Sequence, residues 1–187
     1  MTRLLRATSL IGRPVVTLTG ESPVEIKDVV FDHTDGDILG FTLRKHGFLG
    51  GPVKEQLPWS NVHGLGPDAV IVADDQAFAS GSDLASSGGD VLGDRVITEN
   101  GTDVGEVVEV IISSGSSADV VGFEIEAAEG LQAGEGGHNV FLPLPDTVAM
   151  SGDNVVVPDQ AIAYIRDDLS GFGGAVADFR SQLGGTD

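Results

Sequence analysis

Leu10-Ile11-Gly12-Arg13-Pro14-Val15-Val16 returns 81 residues later as Val91-Leu92-Gly93-Asp94-Arg95-Val96-Ile97. Ile38-Leu39-Gly40-Phe41-Thr42-Leu43 returns as Val120-Val121-Gly122-Phe123-Glu124-Ile125, shifted by 82. Leu57-Pro58 returns as Leu142-Pro143, and Asp68-Ala69-Val70-Ile71-Val72 as Asp153-Asn154-Val155-Val156-Val157, both shifted by 85. The order of these landmarks never changes, and the slow growth of the shift places a few extra loop residues in the second copy. Solenoid units run to only ~20–50 residues. A period this long therefore reads as one small domain written twice.

Between the landmarks, Gly and Pro punctuate short runs of Val, Ile, Leu and Phe that are too brief for helices. Strands are expected near 15–18, 24–31, 38–44, 53–57 and 70–72, and again near 95–98, 105–112, 120–126, 139–142 and 154–157. Five short strands per copy with turn signals between them suit a small antiparallel barrel, which also removes unpaired sheet edges. The fold class expected is all-β, with two tandem small antiparallel barrels and a short C-terminal helix. The domains expected are 1–79 and 90–168, joined by a flexible linker at 80–89 and followed by a tail at 169–187. In that tail Leu169, Phe172, Val176, Phe179 and Leu183 recur at steps of three and four, the spacing of one helical face. The glycines at 171, 173 and 174 weaken the first half, so the helix is expected over 175–183.

Composition narrows the function. The 187 residues contain no cysteine, which removes disulfide scaffolds, thiolate metal sites and thiol catalysis. No apolar run reaches the roughly 18 residues of a membrane span, and the N-terminus lacks a signal-type apolar region. A cytoplasmic protein is expected. The formal charge is −19, divided as −4 over residues 1–86 and −15 over residues 87–187. Nucleic-acid affinity depends on Lys and Arg meeting phosphates, and no basic stripe exists here. Direct nucleic-acid binding and membrane insertion are not expected. The acidity has two readings: general solubility, or a basic protein partner for the second copy.

Catalytic constellations are weak. His33, His46, His63 and His138 fall in expected turns and share no metal-type spacing. Asp32-His33-Thr34-Asp35-Gly36-Asp37 alternates oxygen ligands beside a glycine, but it lacks the 12-residue calcium pattern with its closing Glu. A hairpin turn explains Asp35-Gly36 without an ion. No catalytic residue, metal site or cofactor is expected. Three apolar residues stand out instead. Phe48 and Leu49 lie in the glycine-rich stretch Gly47-Phe48-Leu49-Gly50-Gly51-Pro52, either packed under the other copy or exposed for a partner. Trp59 is the single tryptophan, and it reads as a barrel plug or packing residue.

The strings Ser9-Leu10-Ile11-Gly12-Arg13-Pro14-Val15-Val16, Ile26-Lys27-Asp28-Val29-Val30-Phe31-Asp32, Ile38-Leu39-Gly40-Phe41 and Leu57-Pro58-Trp59-Ser60-Asn61-Val62 resemble the PRC-barrel family. That family includes a cytoplasmic domain of the photosynthetic reaction centre H subunit and the C-terminal domain of a ribosome maturation factor. The second copy matches more loosely, through Gly93, Gly105, Gly122-Phe123, Leu142-Pro143 and Asp153. Leu144 stands there in place of Trp59, and Glu106 and Val110 are aligned with Asp28 and Asp32. The resemblance implies a non-enzymatic protein-interaction or assembly module, and the residue reading above supplies Phe48, Leu49 and Trp59 as the candidate partner surface. A homodimer is also open. The competing reading is a barrel that binds a small ligand or cation.

Overall fold

A computed structural model describes residues 3–32, 36–47, 49–80, 84, 88–114, 119–131, 138–146, 148–151 and 153–184. It divides into two compact units, whose main bodies are residues 3–32 with 37–90, and residues 91–113 with 119–184. The first unit carries β1 (Arg3–Arg6), β2 (Pro14–Thr17), β3 (Val24–Asp32), β4 (Ile38–Lys45), β5 (Pro52–Pro58), β6 (Val62–Leu65), β7 (Val70–Val72), β8 (Ala79–Ser80) and β9 (Gly88–Gly89). The second carries β10 (Arg95–Thr98), β11 (Asp103–Ser114), β12 (Asp119–Ala127), β13 (Asn139–Pro143), β14 (Ala149–Ser151), β15 (Asn154–Val157) and a terminal helix α1 (Phe172–Gly184).

Each unit is a curled half-barrel sheet. The first runs β6-β7-β2-β3-β4-β5-β8, with β9 added on β3, and the second runs β13-β12-β11-β10-β15-β14. The sheets are mixed, which corrects the antiparallel reading. β2 pairs parallel with β7 (Val15 opposite Val70), and β10 pairs parallel with β15 (Val96 opposite Val155). Parallel neighbours need a long crossover. Here the crossover is the rest of the repeat, which brings its last strand back beside its first. Short apolar runs carry no signal of direction, so pattern alone could not show this.

The duplication extends to the irregularities of its central strand pair. In β3–β4 the register slips between Ile26 and Asp28 and again between Val30 and Phe31. In β11–β12 it slips between Val107 and Glu109 and again between Ile111 and Ile112. Both slips recur 81 residues on, so each copy keeps the same two bulges, which bend a strand locally. The paired registers also fix which residues correspond. Asp28 faces Thr42 as Glu109 faces Glu124, so Glu109, not Glu106, is the counterpart of Asp28. Glu106 corresponds to Glu25, and Val110 to Val29. Cores correspond as well: Val15, Ile26, Phe41, Leu43 and Leu57 are buried in one unit, and Val96, Val107, Phe123, Ile125 and Leu142 in the other.

Part of the expected linker is sheet. Gly88 and Gly89 pair with Asp32 and Phe31, at the end of β3 that β2 does not reach. The Leu84 N–H donates to Gln56 Oε1 at 3.2 Å. A run of small residues reports missing side chains, and a backbone ladder needs none.

α1 starts three residues earlier than its helix-forming residues suggest, because packing overrides its glycines. Phe172, Ala175, Val176 and Phe179 are buried. The Phe172 ring lies 5.7 Å from Phe141, and the Phe179 ring 5.4 Å from Tyr164. Arg180 fixes the far end: Nη1 meets Asp119 Oδ2 at 2.6 Å and Asp146 Oδ1 at 3.0 Å, while Nη2 and Nε donate to the carbonyls of Val120 and Leu144.

The turn into α1 is closed by Asp168, whose Oδ1 accepts from the Ser170 hydroxyl and from the Gly171 N–H. The Ser170 hydrogen bond, aided by that of Gly171, holds the Asp168 carboxyl below its ordinary value of 3.8. A lowered native pKa contributes stability that is present above the ordinary value and lost as pH falls through the native one. Asp168→Ala is therefore expected to melt slightly below the parent chain at pH 7, with the gap closing once pH drops below the ordinary carboxylate range. Paired thermal melts across acid pH check this, and a gap that persists at pH 2 would contradict it.

Candidate interaction surfaces

The β4–β5 hairpin is shaped by its backbone. The Lys45 N–H donates to Gly51 O at 3.0 Å, and the Gly50 N–H to Gly47 O at 2.9 Å. Gly47 sits at φ +106°, in the left-handed region that favours glycine. A Cβ on Gly50 would stand 1.8 Å from Lys45 O. The tight turn leaves Leu49 93% exposed. Phe48, paired with it in the sequence reading, lies outside the described residues. Between the stems of this hairpin and the segment 75–80 runs an open groove of about 580 Å³. Pro23, Val24, Leu43, Val53 and Phe78 give it an apolar lining, and Lys45, Glu55 and Asp75 stand among them.

Trp59 is half-buried, its ring 6.0 Å from Phe41 and inclined at 69°, an edge-to-face contact with a core residue. In the second unit Leu144 is buried at the corresponding place, and its N–H donates to Val121 O at 3.0 Å.

The two units differ most in their charge pairs. Glu25 is buried and opposite Arg44, with Arg44 Nε donating to its Oε1 at 2.5 Å. His46 Nδ1 lies 3.3 Å from the other oxygen of Glu25. At the same sheet position in the second unit, Glu106 stands opposite Glu126. On its other side Glu106 stands opposite Arg95 of β10, whose Nη2 donates instead to Asp103 Oδ2 at 2.8 Å. The hydrogen bond and charge of Asp103 raise the Arg95 pKa above its ordinary value. Among the described residues neither Glu106 nor Glu126 has an ion-pair partner. Like charges directly opposite each other on a sheet are destabilising.

The remaining sequence candidates are scattered. His63 lies on β6 rather than in a turn, and His138 Nε2 is 4.0 Å from Asp167. Residues 33–35 of the acidic turn and 132–137 of the second glycine-rich loop lie outside the described residues. Among the described residues no group of three or more His, Cys, Asp or Glu is placed to hold a metal ion. Likewise no helix among them is long and apolar enough to cross a membrane.

Sequence reasoning missed one further repeat. Asp75-Gln76-Ala77-Phe78-Ala79 returns as Asp159-Gln160-Ala161-Ile162-Ala163, and both segments begin in a 3₁₀ turn. Its signal is a repeated Asp-Gln-Ala string and not an apolar period, so strand patterning does not reveal it.

Matched bulges, matched parallel closures and matched cores define a tandem protein of two curled β half-barrels. The profile of the PRC-barrel domain matches residues 3–78 and again 85–161, and the chain belongs to that family. No curated protein matches the chain.

Proposed function

We propose that the chain is a non-enzymatic protein-assembly module of the cytoplasm, and that its second unit receives a partner with a basic surface. The observation that supports this most is the exchange of the Glu25–Arg44 pair for Glu106 opposite Glu126 at one and the same sheet position. Such a pair weakens its own sheet, and an incoming Lys or Arg relieves it. Exposed carboxylates at Asp103, Glu106 and Glu126 line one groove at the position. Arg95 is the one cation in that groove, so the carboxylates remain in excess, and an excess of one sign steers an oppositely charged partner and sets its orientation. The candidate partner residues of the first unit are Leu49, at the hairpin tip with its groove, and Trp59, past the opposite end of β5.

Capture on the immobilised full-length chain tests the electrostatic part. Basic proteins are expected to bind at low salt and to elute as the screening length falls from about 8 Å near physiological salt to about 3 Å at 1 M. Failure to capture any protein at low salt, or capture that is indifferent to salt, would contradict the proposal.

A further inference from the structure

The two units treat one leucine in opposite ways. Leu131 stands 82 residues after Leu49. It is only 8% exposed, its N–H donates to Ala128 O at 3.2 Å, and it lies beside Ile162. Leu49 is 93% exposed. Leu131 and Ile162 line one wall of an open pocket of about 410 Å³, while Phe78, the counterpart of Ile162, lines the larger groove of about 580 Å³ together with Val24, Leu43 and Val53, with no leucine of its own turn in it.

We infer that this groove takes Leu49 from a second copy of the chain, two hairpins exchanging their leucines across a two-fold axis. A closed two-fold contact needs a projection and a matching recess on one patch. The β4–β5 hairpin supplies both, with Leu49 at its tip and Leu43 and Val53 in its stems. The second unit shows what chemistry this place accepts, since its own leucine is buried there. Lys45 beside Glu55 and Asp75 gives the groove both signs of charge, so a copy rotated by a half turn can meet opposite charge. This surface is separate from Glu106 and Glu126. The inference goes beyond the basic-partner reading, and either can fail alone.

Sedimentation velocity over a concentration series tests it on four full-length samples: the parent chain, Leu49→Asp, Ser80→Trp, and an equimolar mixture of the two variants. Leu49 and Ser80 are both exposed, and Ser80 lines the groove, so a tryptophan there fills it. The parent chain is expected to pass from monomer to dimer as concentration rises. Each variant alone is expected to dimerise at least tenfold more weakly. The mixture, in which one intact leucine meets one intact groove, is expected to associate more tightly than either variant alone. A parent chain that stays monomeric at every concentration would overturn the inference. A dimer whose strength Leu49→Asp leaves unchanged would overturn it equally.

Discussion

Gly122→Ala is expected to destabilise the second unit by about 2–3 kcal/mol, the upper range for forcing extra volume into a packed core. A Cβ at Gly122 would stand 2.2 Å from Cζ of Phe172 and 2.6 Å from Leu142 O. The ring can swing aside only by lifting the start of α1. The carbonyl belongs to β13, whose register with β12 sets Phe123 against Leu142 and Gly122 against Pro143. Either the helix or the ladder must give way. The first unit repeats the crowding at Gly40, where a Cβ would lie 2.3 Å from Leu57 O. Gly40 also holds φ +156°, so a side chain there adds backbone strain of about 1–3 kcal/mol. Denaturant unfolding followed at Tyr164, the single tyrosine, reads the first variant, and Trp59 fluorescence reads Gly40→Ala. A midpoint within error of the parent chain would contradict the close approach.

Phe172→Ala is expected to cost about 3–5 kcal/mol, the usual range for removing a buried phenylalanine. The ring is fully buried and sits between Phe141 and the notch above Gly122. Its loss matters beyond the cavity it leaves. α1 has 13 residues, a length that is marginal for an isolated helix in water. Gly173 and Gly174 each disfavour it by about 1 kcal/mol relative to alanine. The helix therefore persists because its buried face and Arg180 hold it to the unit. Amide exchange over residues 172–184 is expected to quicken by about 100-fold or more in the variant, since each 1.4 kcal/mol is tenfold. Combining Phe172→Ala with Gly122→Ala should cost less than the two losses added, because the first removes the ring that the second would strike. Exchange as slow as in the parent chain would show that α1 stands without its anchor.

Much of the architecture was legible because the chain states it twice. The predicted strands lie within a residue or two of those found, and Gly40 and Gly122, aligned by sequence alone, prove to occupy one register position opposite Pro58 and Pro143. What escaped has physical reasons. Strand direction leaves no trace in an apolar run, so the parallel closures were invisible. The match of Asp28 to Glu106 has no such physical reason: the offset of 81 carried by the flanking landmarks leads to Glu109, and both copies bulge at the same places. β6, with a His and a Gly among its four residues, lacks a strand pattern. The grip of Arg180 joins residues 61 apart through one carboxylate and 36 apart through one carbonyl, and no local signal predicts it. Leu49 was singled out as an apolar residue in a glycine-rich turn. Its contrast with Leu131 needed burial values, because both leucines sit among glycines of similar appearance.

Glu126→Arg puts the divergence of the two units to the most direct test. The substitution rebuilds in the second unit the pair that Glu25 and Arg44 make in the first. Stability and low-salt capture of basic proteins are to be measured on the same full-length variant. Stability is expected to rise by about 0.5–1 kcal/mol, the scale of an exposed opposite-charge pair, while capture falls. A surface kept acidic for a partner predicts those opposite signs. Capture that is unchanged or stronger, or a loss of stability, would contradict the assignment of Glu106 and Glu126 to a basic partner.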